Sequence, residues 1–176
     1  PLLEACQALM QRIHTDFEYR SGSTEINTPA LSALEKRQGV CQDFAHIMLG
    51  CLRSLGLAAR YVSGYLLTHV PEGQARLIGA DASHAWVAVY CPGEDGEEGV
   101  WCDFDPTNNH CGLGRPSEDY VTLALGRDFG DVSPLRGVIQ GGGSHTLHVG
   151  VTVAPVDQFP ADAQLPAAPA PPATDR

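Results

Sequence analysis

The segment from Gly39 to Leu55 constrains this chain most, because its apolar residues Phe44, Met48, Cys51, Leu52 and Leu55 recur every three or four positions. That spacing marks a helix with one buried face. Gly39 precedes the pattern and Gly56 follows it, the second supplying the left-handed position that glycine takes at least cost. A helix is therefore expected from about Gln42 to Leu55, with Cys41 at its N-terminus. The first N–H groups of a helix lack partners within it and carry roughly half a positive charge, which favours a thiolate and makes the sulfur a nucleophile. A lone cysteine is more often a small core residue, so the rest of the chain has to supply the case for chemistry.

Upstream, Leu2, Cys6, Leu9, Ile13 and Phe17 describe a second amphipathic helix, and Thr28-Pro29 opens a short third one from Pro29 to Arg37. Downstream the pattern changes to strands: Ala59 to Leu67, His84 to Cys91 and Val100 to Asp105. The acidic, turn-rich loop Pro92 to Gly99 joins the last two into an antiparallel hairpin, and Asp105-Pro106-Thr107-Asn108-Asn109 ends it. Polar residues from Thr68 to Ser83 form a loop long enough to act as a lid. Tyr120 to Leu125 is a further strand, Gly126 to Gly143 a glycine-rich connection, and the alternation of Leu147, Val149, Val151 and Val153 a last strand closing the sheet. Residues 154–176 are rich in Pro and Ala without periodicity, a composition too poor in core-forming side chains to offset the entropy of ordering it. The expectation is one α+β domain, residues 1–153, followed by a disordered tail, 154–176.

In an antiparallel hairpin the first residue of one strand meets the last of its partner, which sets His84 opposite Asp105 on a shared sheet face. Asp103 falls nearer Trp86 and is the reserve. If that face packs on the N-terminal end of the central helix, His84 reaches Cys41 and a Cys41–His84–Asp105 nucleophilic triad results. Cys41 attacks, His84 holds the thiolate and protonates the leaving group, and Asp105 fixes the imidazole tautomer. The Cys41 N–H is one oxyanion donor, with Tyr19, Gln38 and Gln42 as candidates for the second. His46 reads as a packing residue and Asp43 as a carboxylate that compensates the helix dipole. Arg60, Tyr65, Trp86 and Trp101 read as sheet and cleft walls.

A formal charge of −10 and a pI near 4.9 argue against nucleic acid or an anionic membrane as partner, since both require a basic face. No apolar run approaches the roughly 18 residues of a membrane span. The six cysteines lack paired spacing, which fits a reducing, cytoplasmic setting. A zinc site from His84, Cys102, His110 and Cys111 is the competing reading of those residues, and no Cys-x-x-Cys or His-x3-His pair supports it. No cofactor is expected. The acidic loop Glu94 to Glu98 reads as a solvated turn, with a cation site as its lesser reading.

Four motifs, Gly39-Val40-Cys41-Gln42-Asp43-Phe44-Ala45-His46, Gly56 to Tyr65, His84-Ala85-Trp86-Val87 and Phe104-Asp105-Pro106-Thr107-Asn108, resemble in order and spacing the bacterial transglutaminase-like superfamily. Gly126-Arg127-Asp128-Phe129 and Asp131 to Gly137 resemble its downstream part, so the resemblance spans about residues 17–153. It implies a papain-like α+β core in which the nucleophile helix packs on an antiparallel sheet, with Cys41, His84 and Asp105 in the family's nucleophile, histidine and aspartate motifs. It also implies acyl transfer through a thioester, with a peptide or protein amide as substrate. Hydrolysis ranks above protein-glutamine cross-linking, because transfer to an amine needs a second site that excludes water. A non-catalytic binding or assembly module that keeps the fold is the alternative from another class. Two departures stand out. The animal cross-linking enzymes place a tryptophan upstream of the cysteine, whereas Trp86 and Trp101 come later; bacterial relatives carry an N-terminal β-domain, which is expected in a longer parent chain.

Overall fold

The computed structural model describes residues 1–25, 27–67, 83–93, 97–133 and 150–155. Helix α1 (Leu2–Asp16) and the central helix α3 (Cys41–Ser54) form where the periodicity places them, and the short α2 (Ala30–Lys36) lies between. The two-residue strands β1 (Glu18–Tyr19) and β2 (Gln38–Gly39) pair in parallel. Two residues carry no period, so neither was legible in the sequence. Their pairing nonetheless pins the segment leading into Cys41: the Arg20 N–H donates to the Gly39 carbonyl and the Glu18 N–H to the Arg37 carbonyl, each at 2.9 Å.

Five strands follow: β3 (Ala59–Leu66), β4 (Ser83–Cys91), β5 (Val100–Asp105), β6 (His110–Leu113) and β7 (Tyr120–Gly126). They pair antiparallel in the order β6-β5-β4-β3-β7. Central β4 is buried on both faces, and its side chains alternate between two apolar layers. Ala85, Val87 and Val89 join Phe104, Tyr61 and the helix residues Met10, Ile13, Phe44, Met48 and Leu52 in the main core. Trp86 and Ala88 join Val62 and Tyr120 on the other face. The ladder between β3 and β7 shifts register between Ser63 and Gly64. A Cβ on Gly64 would stand 2.1 Å from the Val121 carbonyl oxygen and 2.5 Å from the Trp86 ring, so only glycine lets β7 and the indole approach this closely.

Two further elements depart from the sequence reading. The stretch after Asn109 contains β6, and the connection after Gly126 contains one helical turn, α4 (Phe129–Val132), where the Asp128 side chain accepts from the Gly130 N–H at 2.8 Å. Of the strand expected at 147–153, residues 150–153 are described and Val151 makes an isolated bridge. Residues 68–82 of the loop expected as a lid, and the tail from 156, lie outside the described residues; Ser83, counted in that loop from the sequence, opens β4. No helix among the described residues is long and apolar enough to cross a membrane.

Candidate active site

Cys41 is the first residue of α3, so its N–H is among those the helix leaves without an intrahelical partner. Its position is fixed from both sides. Asp43, buried in the first turn, accepts the Val40 N–H at 2.9 Å and the Thr24 hydroxyl at 2.6 Å on Oδ2. The carboxylate therefore caps the helix as well as opposing its dipole. Gly39 leaves it room: a Cβ there would lie 2.8 Å from both the Cβ and Oδ2 of Asp43.

The hairpin register differs from the one the sequence implied. Cys91 pairs with Val100 at the closed end and Val87 with Phe104 at the other, so one further step sets Asp105 across from Trp86, not His84. The reason is strand length. β4 has nine residues and β5 six, and the excess falls at the His84 end because pairing starts at the turn. The two aspartates reach diagonally along the shared face, a separation that longer side chains span. His84 Nε2 lies 2.7 Å from Asp105 Oδ2, and Trp86 Nε1 donates to Asp103 Oδ2 at 2.7 Å. Asp105 is thus the carboxylate on the histidine, and Asp103 anchors the indole.

The packing of that face is also corrected. It is the neighbours of His84, Ala85 and Val87, that face the helices, while His84 shares the face of Trp86, on which its ring stacks at 6.0 Å and 28°. Standing at the start of β4, the imidazole lies near enough to Cys41 for the sulfur to be among the groups that raise its pKa. With Nε2 taken by Asp105, Nδ1 is the nitrogen left for the sulfur.

His84 is 9% exposed and Asp105 fully buried, so their charges survive only through partners. Burial works against the imidazolium, yet the hydrogen bond to Asp105 and the nearby Cys41 outweigh it and lift the His84 pKa to about 9. Burial likewise opposes the Asp105 charge, and hydrogen bonds from His84, Tyr120 and Asn108 overcome it, holding the carboxyl below its ordinary range. Tyr120 Oη donates to Asp105 Oδ2 at 2.6 Å and Asn108 Nδ2 at 2.8 Å. The backbone N–H groups of Thr107 and Asn108 donate to Oδ1 at 2.8 and 3.3 Å. Sequence reasoning missed both Tyr120 and Asn108 as site residues. Asn108 had a signal, since a turn asparagine three residues past an aspartate can fold back on it; Tyr120 had none, because its strand is remote in sequence.

The remaining candidates separate clearly. Tyr19 packs edge-on against Phe44 at 6.4 Å, Gln38 lies in β2 and Gln42 in the first turn of α3, all on segments adjoining Cys41. His46 accepts the Phe129 N–H at 3.2 Å, and burial lowers its pKa. Arg60 stacks its guanidinium 3.8 Å from the centre of the Trp101 ring. Burial, reinforced by a hydrogen bond with Cys91, pushes the Cys102 thiol up to about 12. Among the described residues no group of three or more His, Cys, Asp and Glu is arranged to hold a metal, so the four-residue zinc reading has no geometric counterpart.

A cysteine heading a helix that packs on an antiparallel sheet, with a histidine and a carboxylate supplied by the sheet, is the architecture of papain-like folds. The transglutaminase-like superfamily model matches residues 1–106, and the chain belongs to that superfamily, whose members are typically cysteine-dependent enzymes. It is 46% identical over 158 residues to the uncharacterised protein Rv2569c of Mycobacterium tuberculosis, covering 89% of this chain and 49% of that protein. The chain thus spans about half the length of the mycobacterial relatives it matches. A crystal structure from Cytophaga hutchinsonii, provisionally assigned as a cysteine protease, aligns with a TM-score of 0.57 and 31% identity over 74% of this chain and 38% of that one. A protein-glutamine gamma-glutamyltransferase of Pseudomonas aeruginosa is 31% identical over 109 residues, 57% of this chain and 16% of that enzyme.

Proposed function

We propose that the chain carries out cysteine-dependent acyl transfer, opening an amide or peptide bond through a thioester. The observation that carries this reading is the buried, hydrogen-bonded His84–Asp105 pair, whose imidazole feels the sulfur of a cysteine at a helix N-terminus. Cys41 Sγ attacks the carbonyl carbon, and the developing oxyanion is met by the Cys41 N–H. The C–N bond then breaks as His84 Nδ1–H gives its proton to the departing amine, leaving an acyl thioester on Cys41. Water passes a proton to Nδ1 as it attacks the thioester, which releases the carboxylic acid and restores the thiolate–imidazolium pair. Asp105 stays ionised throughout, holding Nε2–H and so the tautomer.

Hydrolysis is ranked above transfer, because transfer to an amine needs a second pocket that admits the amine and excludes water, a requirement that hydrolysis does not make. The similarity to the Pseudomonas gamma-glutamyltransferase favours the second reading, in which a primary amine replaces water. A peptide or protein amide is the proposed substrate in both. Iodoacetamide labelling followed by peptide mapping tests the enzymatic reading: Cys41 should label fastest of the six cysteines and lose that advantage in His84→Ala. Equal labelling of the accessible cysteines would favour a non-catalytic binding module. Mass spectrometry of a glutamine peptide with an added amine then separates deamidation from incorporation.

A further inference from the structure

Besides His84 itself, the Asp105 carboxylate is met by donors from two sources. The Thr107 and Asn108 backbones and the Asn108 amide belong to the turn that follows Asp105, so their bonds form whenever that turn forms. Tyr120 is different. It opens β7, which the strand order separates from β5 by β3 and β4, and its hydroxyl binds the same oxygen, Oδ2, that faces His84. Its ring packs edge-on against Trp86 at 5.3 Å and 82° and lies 5.9 Å from the His84 ring. Trp86 is in turn tethered by Asp103 and roofed where Gly64 lacks a side chain.

We infer that Tyr120 is a positioning residue of the proposed acyl-transfer site, its hydroxyl holding the Asp105 carboxylate in the orientation that faces His84. Its tether runs from Asp103 through Trp86 and the Tyr120 ring to Asp105, which gives the reserve aspartate a supporting role one layer behind the histidine. A carboxylate gripped only by its own turn could swivel with that turn. A donor from the far strand fixes it to the sheet that carries the histidine.

The inference rests on the proposed function, and the test separates the two. An anionic reagent, iodoacetate, gains over neutral iodoacetamide at Cys41 only while His84 is charged, so the ratio of the two rates against pH reports the imidazolium. In Tyr120→Phe, iodoacetamide labelling of Cys41 should slow by about tenfold, the lower end for a hydrogen bond to a charged group. The pH at which the ratio falls should drop by about one unit. In an Asp105→Ala background the same substitution should change neither quantity. Additive losses, an unmoved pH profile, or a Tyr120→Phe chain that fails to fold would each assign the hydroxyl to stability alone and overturn the inference. A wild-type Cys41 no faster than the other cysteines would instead sink the proposed function.

Discussion

Asp105→Ala should uncouple the imidazolium from its counter-charge, and the effect can be sized from the site. Histidine titrates near 6.5 when unperturbed, and His84 is lifted to about 9 although burial opposes its charge. The difference of ~2.5 units is a bias of roughly 3 kcal/mol toward the charged ring. Its partners must exceed that figure to overcome burial, and the Asp105 hydrogen bond is the largest contribution raising the pKa. Without it, burial competes against Cys41 alone, and the pKa should fall by about two units or more. The assay is the iodoacetate-to-iodoacetamide rate ratio at Cys41 from pH 5 to 10. In the wild type the ratio falls through about pH 9; in Asp105→Ala it falls near neutrality or below, and in His84→Ala it is flat. A fall at the same pH with and without Asp105 would refute the assignment of the carboxylate.

Further expectations follow from the same geometry. Asp105→Asn keeps the shape but can favour the wrong tautomer, a change that costs on the order of 10⁴ in turnover in the serine-protease template. Asp103→Asn, whose amide oxygen can still accept the Trp86 N–H, should cost far less; kinetics on both mutants in which Asp103→Asn loses more would contradict this. Gly64→Ala forces a Cβ into the Val121 carbonyl and the Trp86 ring, and chemical denaturation should show a loss of about 2 kcal/mol or more. Because the His84 pKa is raised on folding, the stability it contributes is complete below its unfolded pKa and is lost as pH rises through about 9. Urea midpoints should accordingly fall between pH 6.5 and 10 in the wild type and fall less in His84→Gln.

Much of the fold could be read from the sequence because periodicity carried it. The 3.6-residue pattern of Phe44, Met48 and Leu52 and the strand runs from Ala59, His84 and Val100 all correspond to elements of the structure. What escaped was either too short to have a period, as with β1, β2, β6 and α4, or set by pairing between distant strands. The hairpin is instructive. Equal strands would have put His84 opposite Asp105; unequal ones shift the register by two residues, and the diagonal reach of the carboxylate restores the contact. The same partner arises by a different route, because side chains on one face repeat every two residues. Tyr120 could not be found this way, since its approach to Asp105 depends on β7 joining the sheet beside β3.

The central claim is that Cys41 forms an acyl thioester, and the most direct measurement is to trap it. The protein is incubated with an activated acyl donor such as p-nitrophenyl acetate, quenched in acid at times shorter than turnover, and mapped by mass spectrometry. The account predicts an acyl group on Cys41 that hydroxylamine removes, that is absent in Cys41→Ser and that forms far more slowly in His84→Ala. An adduct that maps to another cysteine, or that forms on Cys41 at the same rate without His84, would contradict it.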